Sequence, residues 1–287
     1  MSSADVVSRL NIPELFELPD AGMDDAGVDA AGNLYVSDGL NGRVYKLEPG
    51  GAFDAFSVIR SVVAEEEESS LNLAVAPDST FCLADTRNER VVRYSAGGEY
   101  LGESPAPGVL DLCSGPEGLI YVLSSAEGVE QIGVYDQMGF PVDIMDAPTR
   151  HRAYLDPGIV SLDCDPEGNA YVSYGMPPYR IWKVKADGSG IDTWGRKIDF
   201  PEDALLIADI ALDAASGILW SLLACKQFGK QLLDAFSVEG EFLGTVEIPH
   251  SQALYGVICA PGKAELCLVD TGTGPGAGDL MRVSVSL

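Results

Sequence analysis

The chain has 287 residues, with 18 Lys plus Arg against 44 Asp plus Glu, a formal net charge of −26, and two histidines. A surface this acidic is repelled by phosphate backbones and by anionic lipids, which argues against nucleic-acid and membrane partners. Two histidines also cannot supply a zinc site of three histidines, which excludes one large class of metalloenzymes.

The N-terminal residues and the cysteines predict a cytoplasmic protein. Asp5 stands where a signal peptide carries basic residues, and no apolar segment follows it. No stretch of the chain approaches the ~18 apolar residues of a membrane span. The six cysteines include no C-x-x-C pair, which argues against a redox motif or a cysteine-based zinc site and favours reduced, buried thiols.

In chain order, the first predicted element is a strand over residues 14–18, preceded by an extension over residues 1–13. A repeated motif begins at residue 29, because residues 29–37 (DAAGNLYVS) recur as residues 165–173 (DPEGNAYVS) with six of nine positions identical. With weaker copies included, the repeat origins are residues 29, 76, 115, 165, 213 and 260. Recurrence of one motif at intervals of about 40 to 50 residues is typical of repeat architectures.

Each copy predicts four antiparallel strands. A short apolar segment leads to a turn containing Gly and Asn, and two further alternating segments and a final strand follow. Four strands repeated with a period in the 40s are typical of propeller blades, so we predict one six-bladed β-propeller domain over residues 1–287. Residues 202–215 look helical by propensity, but the repeat predicts a strand over residues 209–213.

Ring closure is predicted from the two ends of the chain. The last copy contains three strands, whereas residues 14–18 precede the first repeat without a blade of their own. We therefore expect the strand over residues 14–18 to complete the last blade, which removes exposed sheet edges.

These repeats resemble those of the NHL-repeat family, whose units read approximately as a G-[IV]-A-V-D strand, D-G-N-[IL]-Y-V-x-D and a loop with N-x-R-V. The resemblance is strongest in the first, second and fourth copies, and it implies a six-bladed propeller. The family and its relatives include protein-binding scaffolds, RNA-binding domains, a zinc-dependent amidating lyase and the similar gluconolactonase group. Fold alone does not choose among these functions.

One position of the innermost predicted strand carries polar side chains. Four residues before each origin the family pattern has Gly, whereas this chain has Asp25, Asn72, Asp111, Ser161, Asp209 and Gly256. Alternation with apolar neighbours directs this column into the central channel, together with Asp163. Oxygen ligands that converge from several strands suit Ca²⁺ or Mg²⁺, and the resemblance to gluconolactonase-like propellers implies a divalent cation in this region. Alternatively, these side chains line a wet channel and hydrogen-bond to neighbouring backbone.

Two further groups of residues have a functional and a structural interpretation. Arg150, His151, Arg152 and Tyr154 form a basic cluster that could perform acid–base chemistry, form an ordinary loop or bind an acidic partner. Arg43 and Arg90 recur in equivalent loops, so we expect each to hold the aspartate of its own loop in a bidentate ion pair.

Two functions are consistent with these observations. The first is a non-catalytic scaffold that binds protein partners, as an accessory subunit of a larger assembly. The second is a metal-dependent hydrolase or lactonase in which Asp25, Asp111 and Asp209 hold a cation that activates water for attack on a small-molecule substrate. The sequence favours the scaffold, because no nucleophile, general base or oxyanion donor is identifiable.

Overall fold

Six four-stranded antiparallel sheets make up the computed structural model of the chain. The structure describes residues 3–15, 22–49, 53–57, 70–126, 129–147, 160–174, 180–194, 204–225, 230–249, 256–259, 265–269 and 279–287. Each sheet is one blade of a β-propeller, as the repeat predicted. A four-residue helix, α1 (Ile12–Leu15), and a 3₁₀ turn at Pro116–Gly118 also occur in the described residues.

The blades follow chain order, and each runs from an innermost strand to an outermost one. Blade 1 contains β2 (Met23–Val28), β3 (Leu34–Asp38), β4 (Arg43–Leu47) and β5 (Phe53–Ser57). Blade 2 contains β6 (Leu71–Val75), β7 (Phe81–Asp85), β8 (Arg90–Tyr94) and β9 (Tyr100–Pro105). Blade 3 contains β10 (Val109–Ser114), β11 (Ile120–Ala126), β12 (Val129–Tyr135) and β13 (Pro141–Asp146).

The second half of the ring has the same organisation. Blade 4 contains β14 (Val160–Cys164), β15 (Ala170–Tyr174), β16 (Arg180–Val184) and β17 (Ile191–Trp194). Blade 5 contains β18 (Ala204–Asp213), β19 (Ile218–Cys225), β20 (Lys230–Ser237) and β21 (Phe242–Pro249). Blade 6 contains β22 (Gly256–Cys259), β23 (Glu265–Val269), β24 (Asp279–Ser286) and the N-terminal strand β1 (Ser3–Asn11). The strand β18 confirms the strand that the repeat predicted over residues 209–213, where helical propensity had indicated a helix.

The N-terminal strand closes the ring, but the predicted bounds are wrong. The closing strand is β1, which pairs antiparallel with β24 from Ser3 opposite Ser286 to Asn11 opposite Asp279. The closing strand is therefore Ser3–Asn11, which was predicted as part of an extension, and residues 14 and 15, predicted as the start of that strand, belong to α1. The strand ends at Asn11, because its side-chain oxygen accepts the N–H of Glu14 at 2.8 Å and so starts α1.

The apolar core is divided among the seams between blades. Within the described residues, six buried apolar clusters each join two neighbouring blades. One of them joins blade 6 to blade 1, where Leu280 packs with Met23 and Val36. Each blade buries both of its faces against its neighbours, so the seams hold the inner strands around the central channel. No helix among the described residues is long and apolar enough to span a membrane.

The repeated D-x-x-G-N motif forms the turn between the first and second strands of a blade. In blade 4, one oxygen of Asp165 accepts the N–H groups of Glu167 and Asn169, and the other accepts bonds from the Asn169 amide and the Tyr171 hydroxyl at 2.8 and 2.9 Å. Gly168 has φ +84°, which only glycine adopts readily. The motif recurs because its residues complete one hydrogen-bonded turn.

Candidate functional sites in the channel and on the outer edge of blade 3

A cavity of about 190 Å³ lies at the centre of the ring, lined by residues of the innermost strands of blades 1 to 5. Of the predicted column, its lining includes Asp25, Asp111, Ser161, Asp163 and Asp209. The described residues that line it include no Lys, Arg or His. The polar wall of the cavity is therefore acidic.

Three aspartates of the column bond to the backbone of the next blade. Asp25 accepts the N–H of Leu73 in blade 2 at 2.7 Å, and Asp111 accepts the N–H of Leu162 in blade 4 at 2.6 Å. Asp163 accepts the N–H of Leu212 in blade 5 at 2.7 Å. The second oxygen of each aspartate accepts the N–H of the residue that follows it. We call this arrangement the inter-blade clasp.

The amide and the hydroxyl of the column point in the same direction around the ring. The Asn72 amide donates to the Leu110 carbonyl at 2.7 Å and to Asp111 at 3.0 Å, both in blade 3. The Ser161 hydroxyl donates to Asp209 in blade 5 and accepts the N–H of Ile210. Blades 1 to 4 therefore each contribute a polar side chain that fastens them to the next blade.

Burial and like charge both disfavour ionised aspartates in this channel. The pKa of Asp25 is raised well above its ordinary value, first by burial and then by the charges of Asp111 and Asp209. Burial, followed by the charge of Asp209, raises the pKa of Asp111 in the same direction. Burial also raises the pKa of Asp163 to about 6. Hydrogen bonds from backbone N–H groups oppose these increases.

The oxygens of this column are of the type that Ca²⁺ and Mg²⁺ prefer. Both oxygens of Asp25, Asp111 and Asp163 already accept an N–H bond, and Oδ1 of Asp111 also accepts the Asn72 amide. The other five oxygens each keep a second lone pair for a ligand. The alternative interpretation, in which the side chains bond to neighbouring backbone, accounts for these contacts without a cation. The cation site stays a prediction.

The structure describes Arg90 of the predicted loop residues but not the predicted basic cluster. Arg150, His151, Arg152 and Tyr154 lie outside the described residues. Arg90 contacts the aspartate of its loop, Asp85, through Nε at 2.9 Å. The pair is not bidentate, because Nη1 of Arg90 bonds to Glu103 at 2.7 Å instead.

Sequence reasoning missed a row of exposed apolar side chains on the outer edge of blade 3. Met138 and Phe140, at the tip of the hairpin between β12 and β13, are 69% and 60% exposed. On β13, Val142 and Ile144 are 55% and 63% exposed, and the residue opposite Ile144 on β12 is Gly133, which has no side chain to cover it. The alternation of Phe140, Val142 and Ile144 is the available sequence signal, but it also suits a buried strand.

This hairpin is held firmly despite its exposure. Asp136 accepts the N–H groups of both Met138 and Phe140 at 2.9 Å. From blade 2, the Ser104 hydroxyl donates to the Gly139 carbonyl at 2.9 Å, and Nη1 of Arg93 donates to the Gln137 carbonyl at 2.6 Å. The exposed apolar side chains are therefore presented on an ordered support.

Solved propellers are similar to this chain in fold. A streptogramin B lyase matches with a TM-score of 0.64 and 10% identity, over 99% of this chain and 98% of the lyase. A catalytically inactive histidine-to-alanine variant of virginiamycin B lyase from Staphylococcus aureus, solved with quinupristin, matches with a TM-score of 0.63 and 12% identity, over 99% of each chain. The WD40 repeats of RRP9 match with a TM-score of 0.61 and 11% identity, over 93% of this chain and 95% of that one.

No protein-family model and no curated protein sequence matches the chain. Identities of 10 to 12% establish a shared fold and leave the function open. The comparisons therefore show a β-propeller, and membership of the NHL-repeat family stays a prediction.

Proposed function

We propose that the protein is a non-catalytic, cytoplasmic scaffold of the NHL-repeat type that binds a basic protein partner along the outer edge of blade 3, as an accessory subunit of a larger assembly. The observation that carries this proposal is the row of exposed apolar side chains from Met138 to Ile144. Single exposed apolar residues are ordinary on protein surfaces, whereas several on one support are typical of interaction sites.

The same edge is open to strand pairing. In the sheet of blade 3 the order is β10, β11, β12, β13, so within the described residues no strand pairs with the outer side of β13. An extended segment of a partner can add to such an edge through main-chain hydrogen bonds, while its side chains contact those of the edge strand. The exposed Val142 and Ile144 are the contacts available for apolar side chains of that segment.

Charge favours a basic partner over a second copy of this chain. The exposed Asp143 and Asp146 lie on β13 itself, and the whole chain carries a formal charge of −26. Acidic residues on an edge strand disfavour pairing between identical edges, because like charges meet there. A segment that alternates basic and apolar residues satisfies both the charge and the exposed apolar side chains.

The test uses a fluorescein-labelled peptide of twelve residues in which lysine alternates with valine, with binding measured by fluorescence anisotropy. We expect saturable binding that weakens at high salt, because screening reduces the attraction between opposite charges. The double variant Phe140→Ser, Ile144→Ser should weaken binding at least tenfold. The variant Leu243→Ser changes a 42% exposed apolar residue on the outer strand of blade 5 and should bind as the unaltered protein does.

Three results would overturn the proposal. The first is no binding of the lysine–valine peptide, and the second is equal binding of a matched glutamate–valine peptide. The third is a dimer of the unaltered protein, seen by light scattering, that the Phe140→Ser, Ile144→Ser variant dissociates, since that result makes the edge an interface between copies.

A divalent-cation-dependent hydrolase or lactonase is the second candidate, with its site at the mouth of the channel. Support comes from Asp25 and Asp111, whose pKa values are raised by burial and then by neighbouring aspartates that include Asp209, an unfavourable arrangement of charge that a cation would relieve. In that function the cation supplies activation of water, and the aspartates hold it with Asn72, Ser161 and Asp163 as further predicted ligands.

Two measurements separate the candidates. A cation that binds the folded protein raises its melting temperature. A rise with CaCl₂ or MgCl₂ supports the enzyme if NaCl of equal ionic strength does not give it and if Asp111→Ala abolishes it. The S. aureus lyase variant is inactive through loss of a histidine. This chain has only His151 and His250, both outside the described residues, so replacing each in turn tests whether any hydrolase activity depends on them.

A further inference from the structure

Two buried cysteines face each other across the seam between blades 3 and 4. Cys113 lies on β10 and Cys164 ends β14, which are the innermost strands of the two blades. Their side chains are 6% and 8% exposed, and their Sγ atoms are 2.6 Å apart. A covalent S–S bond is about 2.05 Å long, so the two sulfurs lie within about 0.6 Å of bonding distance.

The geometry suits a disulfide better than a shared metal ion. The carboxylate of Asp163 lies within 4.8 Å of both sulfurs, so these three side chains have the composition of a soft-metal site. However, Zn–S bonds of about 2.3 Å in a tetrahedral site hold two sulfurs about 3.8 Å apart. Both oxygens of Asp163 also accept backbone N–H bonds, from Cys164 and Leu212 at 2.7 Å.

We propose that Cys113 and Cys164 are an inter-blade thiol pair that a small hydroperoxide converts to a disulfide. The thiolate of one cysteine attacks a peroxide oxygen, which breaks the O–O bond and, when the oxidant is H₂O₂, leaves a sulfenic acid and a hydroxide ion. The hydroxide takes up the proton that the thiol lost and becomes water. The second cysteine, as its thiolate, attacks the sulfenic sulfur, the S–S bond forms, and the hydroxyl leaves as water after protonation. Overall, two thiols are oxidised to one disulfide, and one H₂O₂ is reduced to two molecules of water.

The channel provides a route for the oxidant. Cys113 is among the residues that line the central cavity of about 190 Å³, and it packs with Cys164 in the apolar cluster between blades 3 and 4. Both thiols are buried, which limits their contact with an oxidant in solution. The pair is therefore expected to react more slowly than an exposed thiolate and to persist as thiols in reducing surroundings.

The bond would join two blades at the channel wall. Along the chain the two cysteines are 51 positions apart. Beside them, the Leu162 N–H of blade 4 donates a hydrogen bond to the Asp111 carboxylate of blade 3. A cross-link that closes a loop of this length restricts the unfolded chain more than a short one does. Oxidation should therefore raise the melting temperature by roughly 5 °C or more.

The test treats the full chain with H₂O₂ at a small molar excess and follows it by intact mass, non-reducing tryptic mapping and thermal unfolding. Trypsin cuts at Arg150 and Arg152, which places Cys113 on peptide 94–150 and Cys164 on peptide 153–180. We expect a loss of about two mass units, the two peptides linked, and a higher melting temperature that dithiothreitol reverses. Cys113→Ala and Cys164→Ala should each abolish the linked peptide, whereas Cys82→Ala, at a buried cysteine in the seam between blades 2 and 3, should retain it.

Other outcomes contradict the pair. Linkage of either peptide to a different cysteine, or stepwise gains of about 16 mass units without linked peptides, would show that these sulfurs do not react with each other. If one alanine variant fails to fold, the unaltered protein still tests the proposal. Absence of the linked peptide after its oxidation would contradict the pair.

Discussion

The carboxylate of Asp111 in blade 3 accepts the backbone N–H of Leu162 in blade 4 at 2.6 Å, across the seam that separates the two blades. Asp25 and Asp163 make the corresponding bonds from blade 1 to blade 2 and from blade 4 to blade 5. The inner strands of neighbouring blades are therefore joined by side-chain-to-backbone bonds as well as by apolar packing. In these contacts the polar column predicted from the sequence holds neighbouring blades together.

Replacing Asp111 tests how much the inter-blade clasp contributes to stability. Asp111→Ala removes the acceptor for Leu162, for Leu112 and for the Asn72 amide. A buried donor left without a partner costs about 1–3 kcal/mol, which in a chain of 287 residues lowers the melting temperature by roughly 2–5 °C. Calorimetry or circular dichroism measures the change.

The matched control is Asp54→Ala, at an exposed position on the outer strand of blade 1. This change should shift the melting temperature by no more than about 1 °C, since exposed substitutions away from special features are usually within ±0.5 kcal/mol. Equal shifts in the two variants would show that channel water replaces the carboxylate at no cost, and that the clasp does not stabilise the ring.

The pH dependence of stability follows from Asp163. Its pKa rises from 3.8 to about 6 in the folded protein, so the folded state binds more protons than the unfolded state between these two values. The free energy of unfolding therefore falls as pH rises through this window, and the raised pKa values of Asp25 and Asp111 act in the same direction. Melting temperatures measured from pH 4 to 8 in 0.5 M NaCl, which screens surface charge, should decrease with a shallower slope in Asp163→Asn than in the unaltered protein. A slope that Asp163→Asn leaves unchanged would assign the dependence to other groups.

Repetition in the sequence predicts the blades because each blade repeats the same local bonds. The turn around Asp165 depends on residues within six positions of it, and such contacts are visible as spacing. Closure of the ring is not visible in this way. Residues 14–18 (ELFEL) are a short segment of apolar and acidic residues before the first repeat, which suggested a closing strand. The strand that pairs is Ser3–Asn11, and Asn11 bonds to Asp279, which is 268 positions away.

The candidate sites could likewise be predicted only where the sequence of a single strand determines them. Alternation along one strand predicts that Asp111 faces the channel, but the N–H that it accepts belongs to Leu162 on another blade. The contact between Cys113 and Cys164 likewise depends on how two strands meet at a seam. The exposure of Ile144 depends on Gly133 standing opposite it. These relationships come from the register of strands and the seams between blades, which spacing within one copy does not encode.

The turn motif should be a determinant of stability in each blade that retains it. Asp165 is 5% exposed and satisfies four donors, so Asp165→Ala leaves the Tyr171 hydroxyl and the turn N–H groups without their acceptor. We expect a loss of about 1–3 kcal/mol, which in a chain of 287 residues lowers the melting temperature by roughly 2–5 °C. Asp213→Ala is the comparison, because this aspartate occupies the same origin in blade 5 and bonds mainly to the exposed Ser216. A smaller fall is expected there, and a larger one would contradict the link between burial and cost.

In blade 3 the aspartate of the turn can be introduced instead of removed, because this copy begins with Gly115 where blades 1 and 4 have aspartate. The backbone of Gly115 has φ −96°, which any residue adopts. A Cβ atom at this position would instead collide with the ring of Tyr121, which occupies the space beside the turn. Gly115→Asp should therefore destabilise the protein by several degrees although it restores the repeat, because overpacking a filled site displaces its neighbours. Combining it with Tyr121→Ala should cost less than the sum of the two single changes, as a double-mutant cycle of melting curves measures. Strict additivity would show that the ring does not oppose the aspartate.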